Sequence, residues 1–370
     1  MTRPSPDSSS RPANIRLLSI IGATITMIGV IVGLLNDGTS LFEKWFPRLF
    51  PKVTVHNPTP SPPQKPKLTG DPISPATNFT LVRTLNGHTK TVNSVAISPD
   101  GQTIVSGADT VKVWDLATGN LKATFSGHIQ SVNSVAISPD GQTIVSGIHN
   151  TIKIWDLATG NLKATLSVHP LWVNSVAISL DGQTILSRVG ILVGGTIKVW
   201  DLATGKLKAT LTGSGWGNSL AISPDNQTIV SDGWDNTIKV LDLETENLKA
   251  TLTGHRDSVG SVAISPDGQT IVSGSRDNTI KIWDLATGNL KATFTGHSNS
   301  VESVAISPDG QTIVSGSRDN TIKIWDMATA SLKATLTGHS NSVESVAISP
   351  DGQNIVSGGS DNTIRVWSSR

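Results

Sequence analysis

Short segments rich in β-branched and other apolar residues, separated by polar turns, follow one another from Thr80 to the C-terminus in a constant order. A unit runs through segment a (SVESVAIS), a Pro-Asp-Gly turn, segment b (QTIVSGS), an Asp-Asn turn, segment c (TIKIWD), an Ala-Thr-Gly loop and segment d (LKATFTG). Segments of this composition and length, bounded by turn residues, predict β-strands. The residue that opens each unit lies at positions 87, 127, 168, 213, 254, 296 and 338, at intervals of 40 to 45 residues. The pattern therefore predicts seven consecutive four-stranded units.

Two dipeptides mark most of the units, Gly-His near the start and Trp-Asp near the end. Trp367 precedes a serine instead, and Leu241 replaces the tryptophan of unit four. The other five tryptophans precede an aspartate: Trp114, Trp155, Trp200, Trp283 and Trp325. On these motifs the chain resembles the WD-repeat β-propeller family, in its bacterial form with tandem, nearly identical repeats. The resemblance implies an all-β fold, a seven-bladed propeller of four-stranded antiparallel blades over residues 79–370.

The two ends of the repeat region are complementary. Unit seven stops after its segment c, IRVW, whereas an unassigned strand-like piece, Thr80 to Leu85, precedes unit one. We expect this N-terminal strand to complete the last blade and close the ring, which leaves no open sheet edge. Lysines on segment d should further discourage edge-to-edge aggregation: Lys122, Lys163, Lys249, Lys291 and Lys333.

In the family that this chain resembles, a histidine, a serine, an aspartate and a tryptophan form a hydrogen-bonded tetrad in each blade. Units five to seven carry it in full: His255, Ser273, Asp277, Trp283; His297, Ser315, Asp319, Trp325; His339, Ser357, Asp361, Trp367. Because the grouping repeats blade after blade, it indicates a buried structural network rather than a hydrolase triad.

The tetrad is displaced in unit one and incomplete in units two to four. In unit one Asp109 is displaced by one position beside His88, Ser106 and Trp114. Unit two has His149 in place of the aspartate, unit three has Gly194 there and Val168 in place of the glycine, and unit four has Ser214 and Leu241 in place of both ring partners. We expect blades two to four to be the less stable arc.

Composition argues against several classes of function. The net charge is +1 and the lysines occur singly, so the basic patch of a nucleic-acid binder is missing. Without cysteine there is no disulfide, thiol catalysis or thiolate metal cluster. The Asp-Gly pairs of the a–b turns supply hairpin geometry rather than metal ligands. No cofactor and no metal site is predicted.

The first 78 residues have a different character. Residues 1–16 read as a disordered tail, and residues 17–35 contain no charge over a length that matches a bilayer core of about 30 Å. A single transmembrane helix is therefore predicted there. A cleaved signal peptide and a buried helix are the competing interpretations, although no small-x-small site follows Leu35. Residues 36–50 form an aromatic and basic interfacial segment, and residues 51–78 a Pro-rich linker.

The orientation of this helix depends on its flanking charges, whose counts tie at three on each side. Arg16 abuts the apolar run whereas Lys44 lies nine residues beyond it, which favours a cytoplasmic N-terminus and an extracytoplasmic propeller. Gly29 and Gly33 share one helical face and suggest a weak homodimer through close helix approach.

The d–a and b–c loops form the usual partner-binding face in the family that this chain resembles. In units three and four they carry large apolar residues, and a binding patch is predicted from Leu171, Trp172, Trp216 and Trp234. The alternative is that these tryptophans fill gaps in blades that have lost their tetrads.

The favoured function is a membrane-tethered, non-catalytic scaffold that binds another protein through this loop face, with assembly of an envelope or a complex as a form that the sequence does not separate from it. The alternative is a small-ligand sensor or an enzyme that uses the central channel. Repetition of the segment a serines around the ring argues against that alternative: Ser94, Ser134, Ser175, Ser261, Ser303 and Ser345.

Overall fold

The computed structural model describes residues 78–128, 130–168, 172–190, 195–212 and 217–369. All of them belong to the second of two compact units, Asp71–Arg370. Over these residues there is no helix of the length and apolar character that crossing a bilayer requires. The predicted tail, membrane helix, interfacial segment and nearly all of the predicted linker lie outside the described residues.

The described residues contain 28 strands in seven four-stranded sheets, which are the blades. The first four blades are β2 (Ser94–Ile97), β3 (Thr103–Gly107), β4 (Val111–Asp115), β5 (Leu121–Phe125); β6 (Val132–Ile137), β7 (Thr143–Ile148), β8 (Thr151–Asp156), β9 (Leu162–Ser167); β10 (Trp172–Ile178), β11 (Thr184–Gly190), β12 (Gly195–Asp201), β13 (Leu207–Leu211); β14 (Leu220–Ile222), β15 (Thr228–Asp232), β16 (Ile238–Asp242), β17 (Leu248–Leu252). Blades five to seven are β18 (Val259–Ile264), β19 (Thr270–Ser275), β20 (Ile280–Asp284), β21 (Leu290–Phe294); β22 (Val301–Ile306), β23 (Thr312–Ser317), β24 (Thr321–Asp326), β25 (Leu332–Thr337); β26 (Val343–Ile348), β27 (Asn354–Gly359), β28 (Ile364–Ser369) with β1 (Phe79–Leu85).

The N-terminal strand closes the ring, as predicted. β1 pairs antiparallel with β28, from Phe79 opposite Ser369 to Leu85 opposite Ile364, so it supplies the outer strand d of blade seven. In every blade the antiparallel order a-b-c-d places the d–a and b–c loops on one face of the ring and the a–b and c–d loops on the other. The first of these is called the loop face below.

The a–b turns show why Ser-Pro-Asp-Gly recurs. The Ser98 hydroxyl and the backbone N–H of Gln102 both donate to Asp100 Oδ1, at 2.5 Å and 3.0 Å. Gly101 follows with a φ of 71°, a left-handed conformation that costs glycine little. The aspartate is therefore occupied by its own turn, which confirms the turn interpretation.

Among the described residues the hydrophobic core is divided into seven clusters, one at each seam between neighbouring blades. The cluster between blades five and six is representative, with Val272 and Ile282 from one blade packed against Val301 and Trp325 from the next. The seam between blades three and four contains Leu241 where the others have a tryptophan. A blade therefore shares its apolar surface with both neighbours, and the ring is stabilised seam by seam.

A glycine near the end of strand b makes this close approach possible. A Cβ at Gly107 would lie 2.7 Å from Val132 Cγ1 of the next blade, and a Cβ at Gly274 would lie 2.6 Å from Val301 Cγ1. Blades one, two, five, six and seven keep this glycine. In blades three and four the position is occupied by Arg188 and Asp232.

The predicted strand d lysines lie on the outer strands and also form ion pairs. Lys122 Nζ is 2.9 Å from the carboxylate of Asp115, the aspartate of the Trp-Asp pair. The same pairing joins Lys163, Lys249, Lys291 and Lys333 to their own blades. Each bond links strands c and d at the rim of the ring.

Candidate functional site

The predicted tetrads are present in the described blades one, five, six and seven. In blade six, Trp325 Nε1 donates to Ser315 Oγ at 2.8 Å, and His297 bonds Ser315 through Nε2 and Asp319 through Nδ1, both at 2.7 Å. The corresponding bonds form in the other three blades. The displaced Asp109 of blade one is included, since its carboxylate is 2.6 Å from His88 Nδ1.

Within each tetrad the polar side chains satisfy one another's hydrogen bonds. A neutral histidine satisfies both of its bonds with the proton on Nδ1, which leaves Nε2 to accept from the serine hydroxyl. Burial lowers the pKa of His297 against the opposing effect of Asp319, and although burial opposes it, hydrogen bonds from Thr321 and His297 lower the pKa of Asp319 to about 2. Ser315 is completely buried and its oxygen accepts the indole N–H of Trp325.

Blade two contains a broken tetrad. His128 Nε2 bonds Ser146 at 3.2 Å, but His128 Nδ1 is buried with no hydrogen-bond partner among the described residues. Burial lowers the pKa of His128 to about 4. His149, at the position of the missing aspartate, instead packs its ring against Trp172 of blade three, with centroids 4.9 Å apart.

Blade four lacks both ring partners, and Arg188 of blade three compensates for them. Arg188 is 1% exposed and donates from its guanidinium to Ser231 Oγ. Ser231 is the tetrad serine of blade four, whose counterparts accept the tryptophan N–H in the other blades. With Leu241 in place of tryptophan, the seam thus has an arginine as the donor to this serine.

A carboxylate at the same seam balances the charge of Arg188. Asp232 is fully buried, and its Oδ1 lies 3.8 Å from Arg188 Nε. The backbone N–H groups of Asn218 and Ser219 donate to this carboxylate at 3.0 Å and 2.9 Å, where strand a of blade four begins. Burial raises the pKa of Asp232 to about 6 against the effect of Arg188.

The backbone makes room for this ion pair. Gly217 stands where blades one, two, three, five, six and seven have a valine, and a Cβ there would collide with the side chain and the carbonyl oxygen of Asp232. The three substitutions therefore depend on one another. Asp232 pairs with Arg188, and the absence of a side chain at Gly217 leaves room for Asp232. The sequence prediction missed them, although aligning the strand b glycines of the seven units would have exposed the two charged residues.

Strand a lines the central channel, and its serines connect adjacent blades. Ser94 Oγ of blade one accepts the N–H of Val135 of blade two at 3.1 Å. Equivalent bonds of 3.0 to 3.2 Å are accepted by Ser134, Ser219, Ser261, Ser303 and Ser345. These six serines are thus occupied in inter-blade contacts, which accounts for their repetition.

A cavity of about 910 Å³ opens at the mouth of the channel on the loop face. Trp172 and Trp234 both line it, with 52% and 45% of their surfaces exposed. The structure thus brings together two of the four predicted binding residues. The other two, Leu171 and Trp216, lie outside the described residues.

The lining differs between blades at the residue before each channel serine, which the sequence prediction overlooked. The series around the ring is Asn93, Asn133, Asn174, Asn218, Gly260, Glu302 and Glu344. Among the described residues that line the cavity, Glu302 and Glu344 are the charged ones. They belong to neighbouring blades six and seven, across the ring from the tryptophans of blades three and four.

Comparison with known proteins agrees with this architecture. The family model described as "WD domain, G-beta repeat" matches seven consecutive stretches: residues 79–115, 119–156, 160–201, 205–242, 246–284, 288–326 and 330–368. A stretch of 43 residues is 56% identical to part of an uncharacterized WD repeat-containing protein from Synechocystis sp.. That match spans 11% of this chain and 12% of the relative.

Proposed function

Because the chain belongs to the WD-repeat family, whose propellers commonly serve as protein-interaction scaffolds, we propose that it is a membrane-tethered, non-catalytic scaffold that binds another protein on its loop face. The observation that carries the proposal is the pair of half-exposed tryptophans at one cavity, Trp172 and Trp234. Tryptophan is enriched among the residues that dominate interface energies, because a large rigid side chain is buried at low entropic cost.

Packing alone accounts for these side chains incompletely. Trp172 packs against the His149 ring, yet half of its surface remains exposed, whereas tetrad tryptophans such as Trp283 are almost completely buried. A residue that merely filled a gap would be enclosed in the same way. The exposed half is therefore available to a partner.

The test is capture from native membranes with the full-length chain as bait. Replacing Trp172 and Trp234 together by alanine should remove a specifically retained protein and lower the melting temperature only slightly. Leu180→Ala is the matched control, since Leu180 is 61% exposed in the a–b turn of blade three, on the opposite face. Loss of several kcal/mol of stability in the double variant, as expected for a buried tryptophan, would identify these residues as filler.

The tether rests on the sequence of residues 17–35, and the preferred orientation is an extracytoplasmic propeller. The absence of native cysteine allows a direct test, because single cysteines at Ser5 and Ser74 would be the only thiols. In intact cells an impermeant maleimide should label Ser74→Cys and spare Ser5→Cys. The reverse pattern would indicate the opposite orientation, and release of the protein by carbonate would exclude the anchor.

The proposed weak homodimer is tested with Gly29→Leu and Gly33→Leu. Crosslinking should detect a dimer of the unmodified chain and should not detect one in these variants.

A small-ligand sensor is the second candidate, favoured by the volume of the cavity. Small-molecule sites occupy about 300 to 1,000 Å³, and the channel mouth holds about 910 Å³. A metabolite screen by thermal shift distinguishes the two candidates. The sensor would be favoured by a ligand that raises the melting temperature of the unmodified protein. This stabilisation should disappear when Glu302 and Glu344 are replaced but persist when Trp172 and Trp234 are replaced.

A further inference from the structure

The glutamates at the channel mouth do not perform the structural role of the residues they replace. In blades one to three the asparagine at this position donates its side-chain N–H to a carbonyl of the next blade, as Asn93 does to Val132 at 3.0 Å. A carboxylate has no N–H to donate. Blades six and seven thus give up this link and present two acidic groups to the cavity instead.

Both carboxylates are held in place by their own blades. Glu302 has a side chain only 10% exposed, and its Oε1 lies 2.6 Å from Arg318 Nε. Glu344 Oε1 accepts the hydroxyl of Ser360 at 2.6 Å. Both partners come from the b–c loops, which fixes the direction in which the acids face.

The two acids also repel each other. Burial raises the pKa of Glu302, and the neighbouring Glu344 adds to this effect against the attraction of Arg318 and Arg276. Arg318 is 45% exposed, so its charge is partly screened by water. A cation placed between the two carboxylates would relieve both the repulsion and the desolvation.

The opposite wall is aromatic. Trp172 of blade three and Trp234 of blade four lie two to three blades from Glu302 and Glu344 around the seven-bladed ring, so the cavity is acidic on one side and apolar on the other. A ligand complementary to both walls carries a cationic head on an apolar body. Arginine or lysine flanked by apolar side chains has this chemistry, and a cavity of about 910 Å³ accommodates a short segment of chain.

We infer that the partner of the loop face inserts a segment with an arginine or lysine into this cavity, with the cationic group between Glu302 and Glu344 and its apolar flanks against Trp172 and Trp234. The inference rests on the proposed function and adds the chemistry of the partner. It distinguishes this propeller from one that binds by apolar contact alone.

The probe is a fluorescent peptide, acetyl-Gly-Leu-Arg-Leu-Gly-amide, and its isosteric counterpart with neutral citrulline in place of arginine. Binding to the full-length protein in non-ionic detergent is measured by anisotropy at low salt. We expect the arginine peptide to bind at least about tenfold more tightly, which corresponds to about 1.4 kcal/mol. The variant with both Glu302→Gln and Glu344→Gln should lose this preference, whereas the variant with both Glu244→Gln and Glu246→Gln, which removes the same two charges from a c–d loop on the other face, should keep it.

Equal binding of the two peptides by the unmodified protein would overturn the inference, as would a preference that survives in the double glutamine variant. Tight binding of butylguanidinium with no gain from the leucine flanks would exclude a peptide as the occupant. If the arginine preference is absent while partner capture still depends on Trp172 and Trp234, the inference fails and the proposed scaffold function stands. If capture is independent of those tryptophans as well, both fail.

Discussion

Replacing Arg188 by methionine should be among the most destabilising single changes in the propeller. The substitution keeps much of the side-chain length but removes the charge, which leaves Asp232 fully buried without its cation and Ser231 without the guanidinium donor. Removing one partner of a buried ion pair typically costs about 3–5 kcal/mol. Against a total stability of about 5–15 kcal/mol, this is a large fraction of the free energy of unfolding.

The assay is chemical denaturation of the unmodified protein, Arg188→Met, Asp232→Asn and the double variant, at constant pH and salt. We expect each single change to cost several kcal/mol and the double to cost much less than their sum, because an uncharged pair leaves no isolated charge. Lys208→Met is the matched control, since its ion pair with Asp201 is as short as 3.0 Å but 43% of the lysine side chain is exposed. Exposed pairs contribute about 0–1 kcal/mol.

The pH dependence adds a second readout. Burial raises the folded-state pKa of Asp232 to about 6 from its ordinary value of 3.8, and losing Arg188 removes an influence that lowers this pKa. The folded protein therefore binds the proton more tightly than the unfolded chain does, so the defect of Arg188→Met should shrink as pH falls from 7 towards 5. Additive single effects, or a loss no larger than that of Lys208→Met, would refute the assignment of Arg188 as the substitute for the missing tetrad.

Two further predictions concern the same arc. Lowering the pH from 6.5 towards 4 should destabilise the propeller, because the unfolded chain protonates His128 in this window while the folded chain, in which the pKa of His128 is about 4, does not. In His128→Gln the free energy of unfolding should fall less over this window, by an amount on the order of 3 kcal/mol. An unchanged pH dependence in this variant would contradict the lowered pKa. Gly217→Ala should lower stability by about 1–3 kcal/mol in denaturant titrations, because its methyl would collide with Asp232. Gly260→Ala, whose Cβ would lie 3.2 Å from the carbonyl oxygen of Val301, should lose less, and equal losses would argue against the crowding at Gly217.

The repeating parts of this fold were predictable from the sequence because each depends on nearby residues. The a–b turn needs only Ser98, Asp100 and Gly101, and such turns mark the limits of the strands. The closing strand was predictable because the last unit visibly lacks one segment. The complete tetrads followed from resemblance, and the structure confirms their hydrogen bonds.

The irregular parts were missed because they are properties of seams rather than of units. Arg188 contributes to the blade after its own, so a blade-by-blade count registers only that blade four has lost two partners. The expectation that blades two to four are weaker stays a prediction, although the compensating pair bears on blade four. The sequence did not predict Glu302 and Glu344 as site residues, because the repeated serines indicate a symmetric channel, whereas the position beside each serine varies between blades.

Because β1 pairs with β28, the ring cannot close until the last strand has been synthesised. Leu85 leaves the ribosome 279 positions before Ile364, its partner in the ladder. At translation rates of about 5–20 residues per second, roughly 15 to 60 s separate the two events. Throughout that interval the first strand waits unpaired while six blades assemble behind it as an open arc. Because nascent copies on one messenger carry identical unpaired first strands and identical incomplete rings, we expect misfolding to occur by exchange of β1 between neighbouring copies.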